Sequence, residues 1–389
     1  MNYEEVYKSN KQEKLLGRYI ILQDIEPILE NLNTNNQLQT IGFSVKNEPI
    51  YSYTVGTGKT KILIWSQMHG NESTTTKAIF DFLNVLHSDF GNDFKKNFTF
   101  CIVPMLNPDG AKKYTRENAN GIDLNRDFID LSQPESNVLL KLFHVFKPDY
   151  CYNMHDQRTI YGVGNTGKPA TVSFLAPSFN ENRDFNENRT KAAYLISRMN
   201  LELQKYIPGQ VGRFDDEFNP NCVGETFQIL GIPTVLFEAG HFQNDYDREI
   251  VRKMIFVALL TSFNVINETD VVLLNITKYL NIPQNNSCFF DFIFKNVKSN
   301  YDNSQITYTF AVQFIEELLE NKIFFNAFIA KTDYLESFFG HVEIDCKNAI
   351  YLDNFENFPK LDTCANFHIE NFVIAKNGVI ELLQKQKTK

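Results

Sequence analysis

The 389-residue chain has no long apolar segment and no cluster of positive charge. No run of about 18 apolar residues occurs, and the N-terminal segment is polar and acidic, so we expect neither a membrane span nor a signal peptide. The formal net charge of -9 argues against a protein that binds nucleic acid by neutralising phosphates. The composition therefore predicts a cytoplasmic protein with no nucleic-acid or membrane partner.

Cysteine is scarce, and no two cysteines form a C-x-x-C pair. The six cysteines are scattered along the chain, and several lie inside apolar runs. This distribution is typical of reduced, buried thiols rather than of a disulfide framework. Because 43% of the residues are hydrophobic, the chain can bury a substantial core without such cross-links.

Up to about residue 263, strand patterns alternate with helix patterns. Residues 61–68 contain a β-branched and aromatic run typical of a buried strand, and from Ser73 onward apolar residues recur at helical spacing. After a hairpin at 39–53, the further predicted strands are 98–105, 149–154 and 232–237, and the further helices are 135–146, 188–206 and 249–263. This alternation predicts an α/β fold with a mixed, largely parallel central sheet flanked by helices.

The pattern changes at about residue 271. From there the sequence has alternating, aromatic-rich segments bounded by Asn, Asp and Lys turns. We therefore predict two domains, 1–270 and a smaller β-rich domain at 271–389. The second domain offers no metal-binding or nucleophilic cluster, and its role, whether narrowing a cleft or forming an oligomer contact, stays open.

Ionisable side chains follow three of the predicted strands. His69 and Glu72 follow the first strand, and His155 and Glu238 end two later strands. Because ligands bind outside the carboxyl ends of strands in open α/β sheets, we expect these side chains to converge. Two histidines and a glutamate suit a tetrahedral zinc ion with one open position for water, as in hydrolytic sites. Taken singly, each residue also fits a polar loop or a structural role.

A second informative stretch, rich in Asn, Asp, Gly and Arg, lies between Met105 and Phe128. Together with the strand ends it gives this order of motifs: H-x-x-E at 69–72, N-P-D-G at 107–110, R-x-N-x-N-G-x-D-L-N-R at 116–126, His155, and F-E-x-G around Glu238. In this order the chain resembles the zinc-dependent metallocarboxypeptidase family of the carboxypeptidase A type. The resemblance extends over residues 39–263.

The resemblance implies a metal site with one zinc ion per chain. His69, Glu72 and His155 would be its ligands, and Asp123 would orient the ring of His69, as a histidine bound to a metal usually requires. The alternative for Asp123 is that it is a turn residue.

The resemblance also implies the roles of four further residues. Arg126 and Asn125 would bind the free C-terminal carboxylate of a peptide, because a guanidinium group matches a carboxylate at two points. Arg116 would stabilise the developing oxyanion, and Glu238 would act as the general base. The alternative for the two arginines is that they form surface ion pairs.

The implied function is hydrolysis that releases a C-terminal amino acid from a peptide. Two rivals stay open: a zinc deacylase of N-acyl amino acids, since H-G-N-E also begins the aspartoacylase and succinylglutamate desuccinylase group, and a non-catalytic peptide-binding module. The N-P-D-G motif and the 116–126 motif favour the peptidase.

The chain departs from the digestive members of the family at two points. Gly70-Asn71 stands where those enzymes carry an arginine, and no tyrosine occurs between 207 and 237, where the family tyrosine is expected. Candidates to replace that tyrosine are Tyr161, Tyr246, and the wall residues Asp215 and Asp216. Substrate selection therefore stays open between short cell-wall peptides, which some cytoplasmic members trim, and general peptides. His241 is interpreted as a loop residue, with a role beside Glu238 as its alternative.

Overall fold

The computed structural model describes residues 2–268, 276–299, 306–354 and 357–383. The chain divides into two compact units: Met1–Arg158 with Ala170–Asn285, and Thr159–Pro169 with Asn286–Lys389. The predicted domain boundary between residues 270 and 271 lies outside the described residues, so its position stays a prediction. The sequence did not indicate that residues 159–169 belong to the second unit.

The helices and strands are numbered in chain order. The helices are α1 (Tyr3–Asn10), α2 (Leu22–Leu32), α3 (Thr74–Leu86), α4 (Asn92–Asn97), α5 (Pro108–Lys113), α6 (Pro134–Phe146), α7 (Glu187–Leu203), α8 (Val223–Ile229), α9 (Glu249–Glu268) and α10 (Thr277–Leu280). The strands are β1 (Leu38–Phe43), β2 (Pro49–Gly56), β3 (Thr60–Ser66), β4 (Phe98–Val103), β5 (Tyr150–Asp156), β6 (Tyr161–Val163), β7 (Val172–Leu175), β8 (Val211–Arg213), β9 (Thr234–Ala239), β10 (Asn285–Ser287), β11 (Phe289–Ser299), β12 (Ile306–Leu319), β13 (Lys322–Thr332), β14 (Phe339–Asp345), β15 (Tyr351–Asp353), β16 (Phe367–Ile369), β17 (Val373–Lys376) and β18 (Val379–Leu382).

A mixed sheet forms the centre of the first unit, with strand order β1-β2-β4-β3-β5-β9-β7-β8. Strands β4, β3, β5 and β9 run parallel to one another. The hairpin β1-β2 joins this group antiparallel, and β7 pairs antiparallel with β9. The predicted mixed, largely parallel sheet is confirmed.

Both faces of this sheet are buried, which explains its continuous apolar runs. On β3, Ile62 and Ile64 pack into the core that includes residues of α3, α7 and α9. Leu63 and Trp65 point to the opposite core, where α6 and α8 pack. Because successive side chains of a strand alternate between faces, one apolar tetrapeptide anchors both layers.

The second unit is β-rich, as predicted. Eight of its described strands form two four-stranded sheets, ordered β13-β12-β11-β14 and β15-β16-β17-β18. The repeated aromatic residues fill its core, where the ring of Phe310 lies 5.0 Å from that of Phe294 and 5.3 Å from that of Phe367. Strand β6, from the 159–169 segment, pairs with β10.

Two local expectations need adjustment. The residues of the N-P-D-G motif are typical of a turn, but the motif begins the short helix α5. Asn107 is the N-cap of this helix and accepts a hydrogen bond from the N–H of Gly110. Pro108 occupies the first turn, where its missing N–H costs nothing. All six cysteines are free thiols, as predicted, but Cys364 is exposed.

Among the described helices, none combines the length and the apolar character that crossing a membrane requires.

Candidate active site

The four ionisable residues predicted at strand ends come together in the first unit. His69 and Glu72 lie in the turn that follows β3, and His155 is the penultimate residue of β5. Glu238 on β9 is the direct register partner of His155, because β5 and β9 pair in parallel. The carboxyl ends of three adjacent strands therefore present these side chains at one edge of the sheet.

His69, Glu72 and His155 form a compact group of potential metal ligands. Nδ1 of His69 lies 2.7 Å from one carboxylate oxygen of Glu72, and Nδ1 of His155 lies 2.8 Å from the other. The two Nδ1 atoms are 3.1 Å apart. Ligand atoms of a tetrahedral zinc site, bonded at about 2.0 to 2.1 Å, lie about 3.3 Å from one another. The three side chains are buried, and their spacing and chemistry fit a divalent metal.

The electrostatics of this group favour an ionised Glu72. Burial acts to raise the pKa of Glu72, but the two imidazoles outweigh burial and hold the pKa well below its usual range. Burial acts to lower the pKa of His69, and the charge of Glu72 with the hydrogen bonds to Asp123 and Glu72 reverses that shift and raises the pKa. A bound cation would favour an ionised Glu72 and neutral rings, the forms in which all three bind metals.

Asp123 connects the metal group to the arginine motif. Its Oδ1 lies 2.9 Å from Nε2 of His69 and accepts a hydrogen bond from the N–H of Asn125, also at 2.9 Å. Its Oδ2 accepts a hydrogen bond from Nε of Arg116 at 3.0 Å. Burial acts to raise the pKa of Asp123, but His69, Arg116 and the N–H of Asn125 outweigh burial and lower it, which favours the ionised carboxylate.

Arg116 lies between Asp123 and the metal group. Its Nη1 is 3.3 Å from Oε1 of Glu72, and its side chain is 42% exposed. A guanidinium group in this position faces the carboxylate of a potential metal ligand and also reaches solvent. Both of its ion-pair partners, Glu72 and Asp123, belong to the predicted site.

Asn125 and Arg126 lie against the start of α8. The side-chain oxygen of Asn125 accepts a hydrogen bond from the N–H of Val223 at 3.1 Å. Nη1 of Arg126 donates to its neighbour's carbonyl at 2.8 Å and contacts Sγ of Cys222 at 3.1 Å. The loop 123–126 and the start of α8 thus hold Arg126 in place.

Glu238 lies partly buried beside the metal group. Burial raises its pKa well above the ordinary range, and the carboxylates of Glu72 and Asp156 raise it further, while Arg116 and Arg248 oppose them. A carboxylate with a raised pKa accepts a proton more readily than an ordinary one, which suits a general base.

Close backbone packing explains Gly70, one of the two departures noted in the sequence. A Cβ atom on Gly70 would lie 2.0 Å from the carbonyl carbon of Gly110 in α5. Asn107 supports the same contact, since its side chain donates to the carbonyl of Met68 at 3.1 Å. The N-P-D-G motif therefore packs directly beneath the turn that carries His69, and only glycine fits there.

The structure also reveals charged residues that sequence reasoning missed. Asp156 follows His155 directly and is buried, and Arg248 is buried 3.6 Å from it. Glu225, in the first turn of α8, is 7% exposed, and burial raises its pKa to about 7. A charged residue directly after an apolar strand was the available signal for Asp156; the other two lie in segments without a motif.

The candidates for the missing tyrosine fall in different places. Tyr161 belongs to the second unit. In the first unit, the ring of Tyr246 lies 4.7 Å from that of His241 and is tilted by 49° to it. Asp216 is paired with the buried Arg189 at 2.5 Å, which indicates a structural role. The residue that replaces the family tyrosine thus stays a prediction.

Comparisons with known proteins agree with this geometry. Residues 22–199 match the zinc carboxypeptidase (peptidase M14) family, a range that includes the three potential metal ligands and the 116–126 motif and ends before Glu238. "Probable carboxypeptidase 2" of Trichophyton verrucosum (strain HKI 0517) is 28% identical over 100 residues, which cover 25% of this chain and 19% of the fungal protein. The chain thus matches about a fifth of that relative's length.

Solved structures share the fold. A metallo-carboxypeptidase from Burkholderia cenocepacia is 18% identical, with a TM-score of 0.50 over 63% of this chain and 69% of that chain. Carboxypeptidase A from Helicoverpa armigera is 15% identical, with a TM-score of 0.51 over 68% of this chain and 80% of that chain. At these identities the likeness shows the fold alone. With the zinc carboxypeptidase family match at residues 22–199, it confirms the resemblance read from the motifs.

Proposed function

We propose that this protein is a zinc-dependent carboxypeptidase that releases the C-terminal amino acid from a peptide. The observation that carries the proposal is the triad of His69, Glu72 and His155, with Glu238 directly opposite His155 on the next strand. The triad would hold a tetrahedral ion with one position left for water, and Glu238 would accept the proton of that water.

The metal would be zinc, one ion per chain. Two imidazole nitrogens and a carboxylate form a ligand set that zinc prefers, and the Asp123 carboxylate fixes the ring of His69 through Nε2. When bound, the ion supplies a Lewis acid and a water of lowered pKa.

Glu238 moves the proton. Its carboxylate takes a proton from the attacking water and gives it to the nitrogen of the departing amine. Burial, and then the charges of Glu72 and Asp156, raise the pKa of Glu238, which favours proton transfer to its carboxylate.

Arg116 stabilises the negative charge that develops on the carbonyl oxygen. Its guanidinium group is held by Asp123 at 3.0 Å and by Glu72 at 3.3 Å, so it is oriented before the substrate binds. One such pre-oriented donor typically contributes about 3 kcal/mol to transition-state stabilisation.

Arg126 and Asn125 select a substrate with a free C-terminal carboxylate. The exposed guanidinium group of Arg126 is positioned by the carbonyl of Asn125 and by Sγ of Cys222. A guanidinium group binds a carboxylate at two points, which restricts cleavage to the last peptide bond. The side-chain oxygen of Asn125 already accepts a hydrogen bond from the N–H of Val223. The side-chain NH₂ group of Asn125 would therefore donate to the substrate carboxylate.

A cytoplasmic location is part of the same proposal. All six cysteines carry free thiols, and free thiols persist in reducing compartments, which supports a cytoplasmic enzyme.

The test is a turnover assay on two panels, free-acid peptides and N-acyl amino acids, with and without a zinc chelator. We expect chelator-sensitive release of C-terminal amino acids from the peptides, together with about one zinc per chain that His155→Ala loses. Preferential turnover of N-acyl amino acids would identify a deacylase instead. Peptide binding without turnover in the zinc-loaded protein would identify a binding module.

A further inference from the structure

Behind the metal ligands, Asp156 and Arg248 form a buried charge pair. Both side chains are 2% exposed, and Nη1 of Arg248 lies 3.6 Å from Oδ2 of Asp156. The proposed reaction gives neither residue a role. Together, however, they contact the three chain segments that carry Glu72, His155 and Glu238.

Asp156 holds the start of α3, the helix that follows Glu72. Its carboxylate accepts hydrogen bonds from the N–H groups of Thr74 at 2.9 Å and Thr75 at 3.3 Å. The N-cap residue Ser73 makes no side-chain cap, and the first turn of α3 contains no acidic residue. Asp156 therefore supplies the acceptors and the negative charge that a helix N-terminus requires. Its own N–H donates to Oε2 of Glu72 at 3.1 Å.

Arg248 joins the ends of β5 and β9. Its Nη2 donates to the carbonyl of Gln157 and its Nη1 to the carbonyl of Ala239, both at 2.7 Å. These carbonyls lie two residues after His155 and one residue after Glu238. The backbone of Arg248 has a φ of 56°, a conformation uncommon for residues other than glycine.

We propose that Asp156 and Arg248 are positioning residues that fix the spacing between Glu72, His155 and Glu238. This inference rests on the proposed function, because the three positioned residues are those of the proposed zinc carboxypeptidase reaction. Asp156 sets the turn that carries Glu72, Arg248 sets the separation of the two strand ends, and their charges keep both groups in place. Loss of one charge leaves the other buried without its partner, so both are needed.

Two variants test the pair. Asp156→Asn keeps the size of the side chain but directs an amide N–H toward the N–H groups of α3 or toward Arg248. Arg248→Lys keeps the positive charge but cannot reach two carbonyls and the carboxylate at once. For each variant we expect zinc to dissociate about 10- to 100-fold faster and kcat to fall by a similar factor, with little change in KM.

The chain offers a matched control in a second buried Asp–Arg pair. Asp81 on α3 pairs with Arg252 on α9, with hydrogen bonds of 2.6 Å and 2.7 Å, and both side chains are fully buried. Asp81→Asn removes an equally buried charge and lowers the free energy of unfolding. We expect zinc dissociation and kcat to stay at wild-type values in this variant.

Amide hydrogen exchange at Thr74 and Thr75 in the metal-free proteins gives a readout independent of turnover. We expect faster exchange in Asp156→Asn and unchanged exchange in Asp81→Asn. Equal exchange in these two variants, or zinc dissociation in Arg248→Lys that matches the wild type, overturns the positioning role. A wild-type protein that neither binds zinc nor cleaves peptides overturns the proposed function instead, and the exchange rates still decide whether the pair orders the turn.

Discussion

Oδ1 of Asp123 lies 2.9 Å from Nε2 of His69, while Oδ2 of the same carboxylate accepts a hydrogen bond from Nε of Arg116 at 3.0 Å. One side chain thus orients a potential metal ligand with one oxygen and an arginine of the site with the other. It also begins the turn that carries Asn125 and Arg126. In the proposed reaction, metal binding, charge stabilisation and substrate binding all depend on this carboxylate.

The first prediction concerns that carboxylate. In Asp123→Asn the side chain loses its charge and turns an amide N–H toward either His69 or Arg116, so we expect zinc affinity and kcat/KM each to fall about 10- to 100-fold. Zinc titration and steady-state kinetics measure the two effects. Asp127→Asn is the control, because that buried carboxylate bonds to Ser132 and Gln133 and should affect only stability. Wild-type zinc affinity in Asp123→Asn would contradict the orienting role.

The second prediction separates metal binding from chemistry. Glu238→Gln keeps the size of the side chain, but an amide cannot accept the proton of the attacking water. We expect full zinc content, little change in KM, and a loss in kcat of about 100- to 10,000-fold. Metal analysis and steady-state kinetics on the same preparation check this. A variant with near wild-type kcat would show that another group is the base.

The third prediction concerns recognition of the substrate carboxylate. Arg126→Met removes the guanidinium group and keeps an unbranched side chain. The transition state for cleavage of a free-acid peptide should therefore lose about 2 to 5 kcal/mol of stabilisation, which lowers kcat/KM. The lower kcat/KM for a C-terminally amidated peptide should change little. The ratio of kcat/KM between the two substrates should therefore fall toward one. Arg198→Met, in the middle of α7, is the control. Undiminished discrimination in Arg126→Met would place the carboxylate site elsewhere.

The fourth prediction is a pH dependence of stability caused by Glu225. Burial raises its pKa to about 7 in the folded protein, whereas in the unfolded chain the pKa of a glutamate is about 4.3. Between these two values the folded protein binds more protons than the unfolded chain, so this contribution to stability is present below about pH 4 and is lost as pH rises through 7.

Replacing Glu225 should remove that loss. We expect Glu225→Gln to match the wild type near pH 4.5 and to be more stable near pH 8, by up to about 3 kcal/mol in the free energy of unfolding. Urea denaturation at both pH values measures the difference, and the exposed Glu217→Gln serves as control. The same difference in the free energy of unfolding between wild type and Glu225→Gln at both pH values would contradict this effect.

The sequence predicted most of the first unit because its signals are local. The run from Ile62 to Trp65 marks β3, and the helical spacing after Ser73 marks α3. The polar residues at the ends of β3, β5 and β9 then predicted which side chains meet, since parallel strands share an edge. The converged triad follows from these rules together with the order of the motifs.

The remaining features depend on contacts between distant residues. Nothing near Arg248 in the sequence indicates that its guanidinium group joins two strand ends, and Asn107 caps a helix where its motif suggested a turn. The short segment 159–169 has no apolar pattern of its own, so its place in the second unit could not be read from periodicity. These features are set by tertiary packing, which local sequence propensity does not predict.

The most direct test of the proposed carboxypeptidase activity compares one peptide with its C-terminally amidated form, using zinc-loaded wild-type protein. We expect the free acid to be cleaved with a kcat/KM at least about 30-fold higher than that of the amide, which corresponds to a lost charged contact of about 2 kcal/mol. We also expect a chelator to abolish this activity and added zinc to restore it. Equal kcat/KM for the two peptides, or cleavage that the chelator leaves unchanged, would contradict a zinc carboxypeptidase.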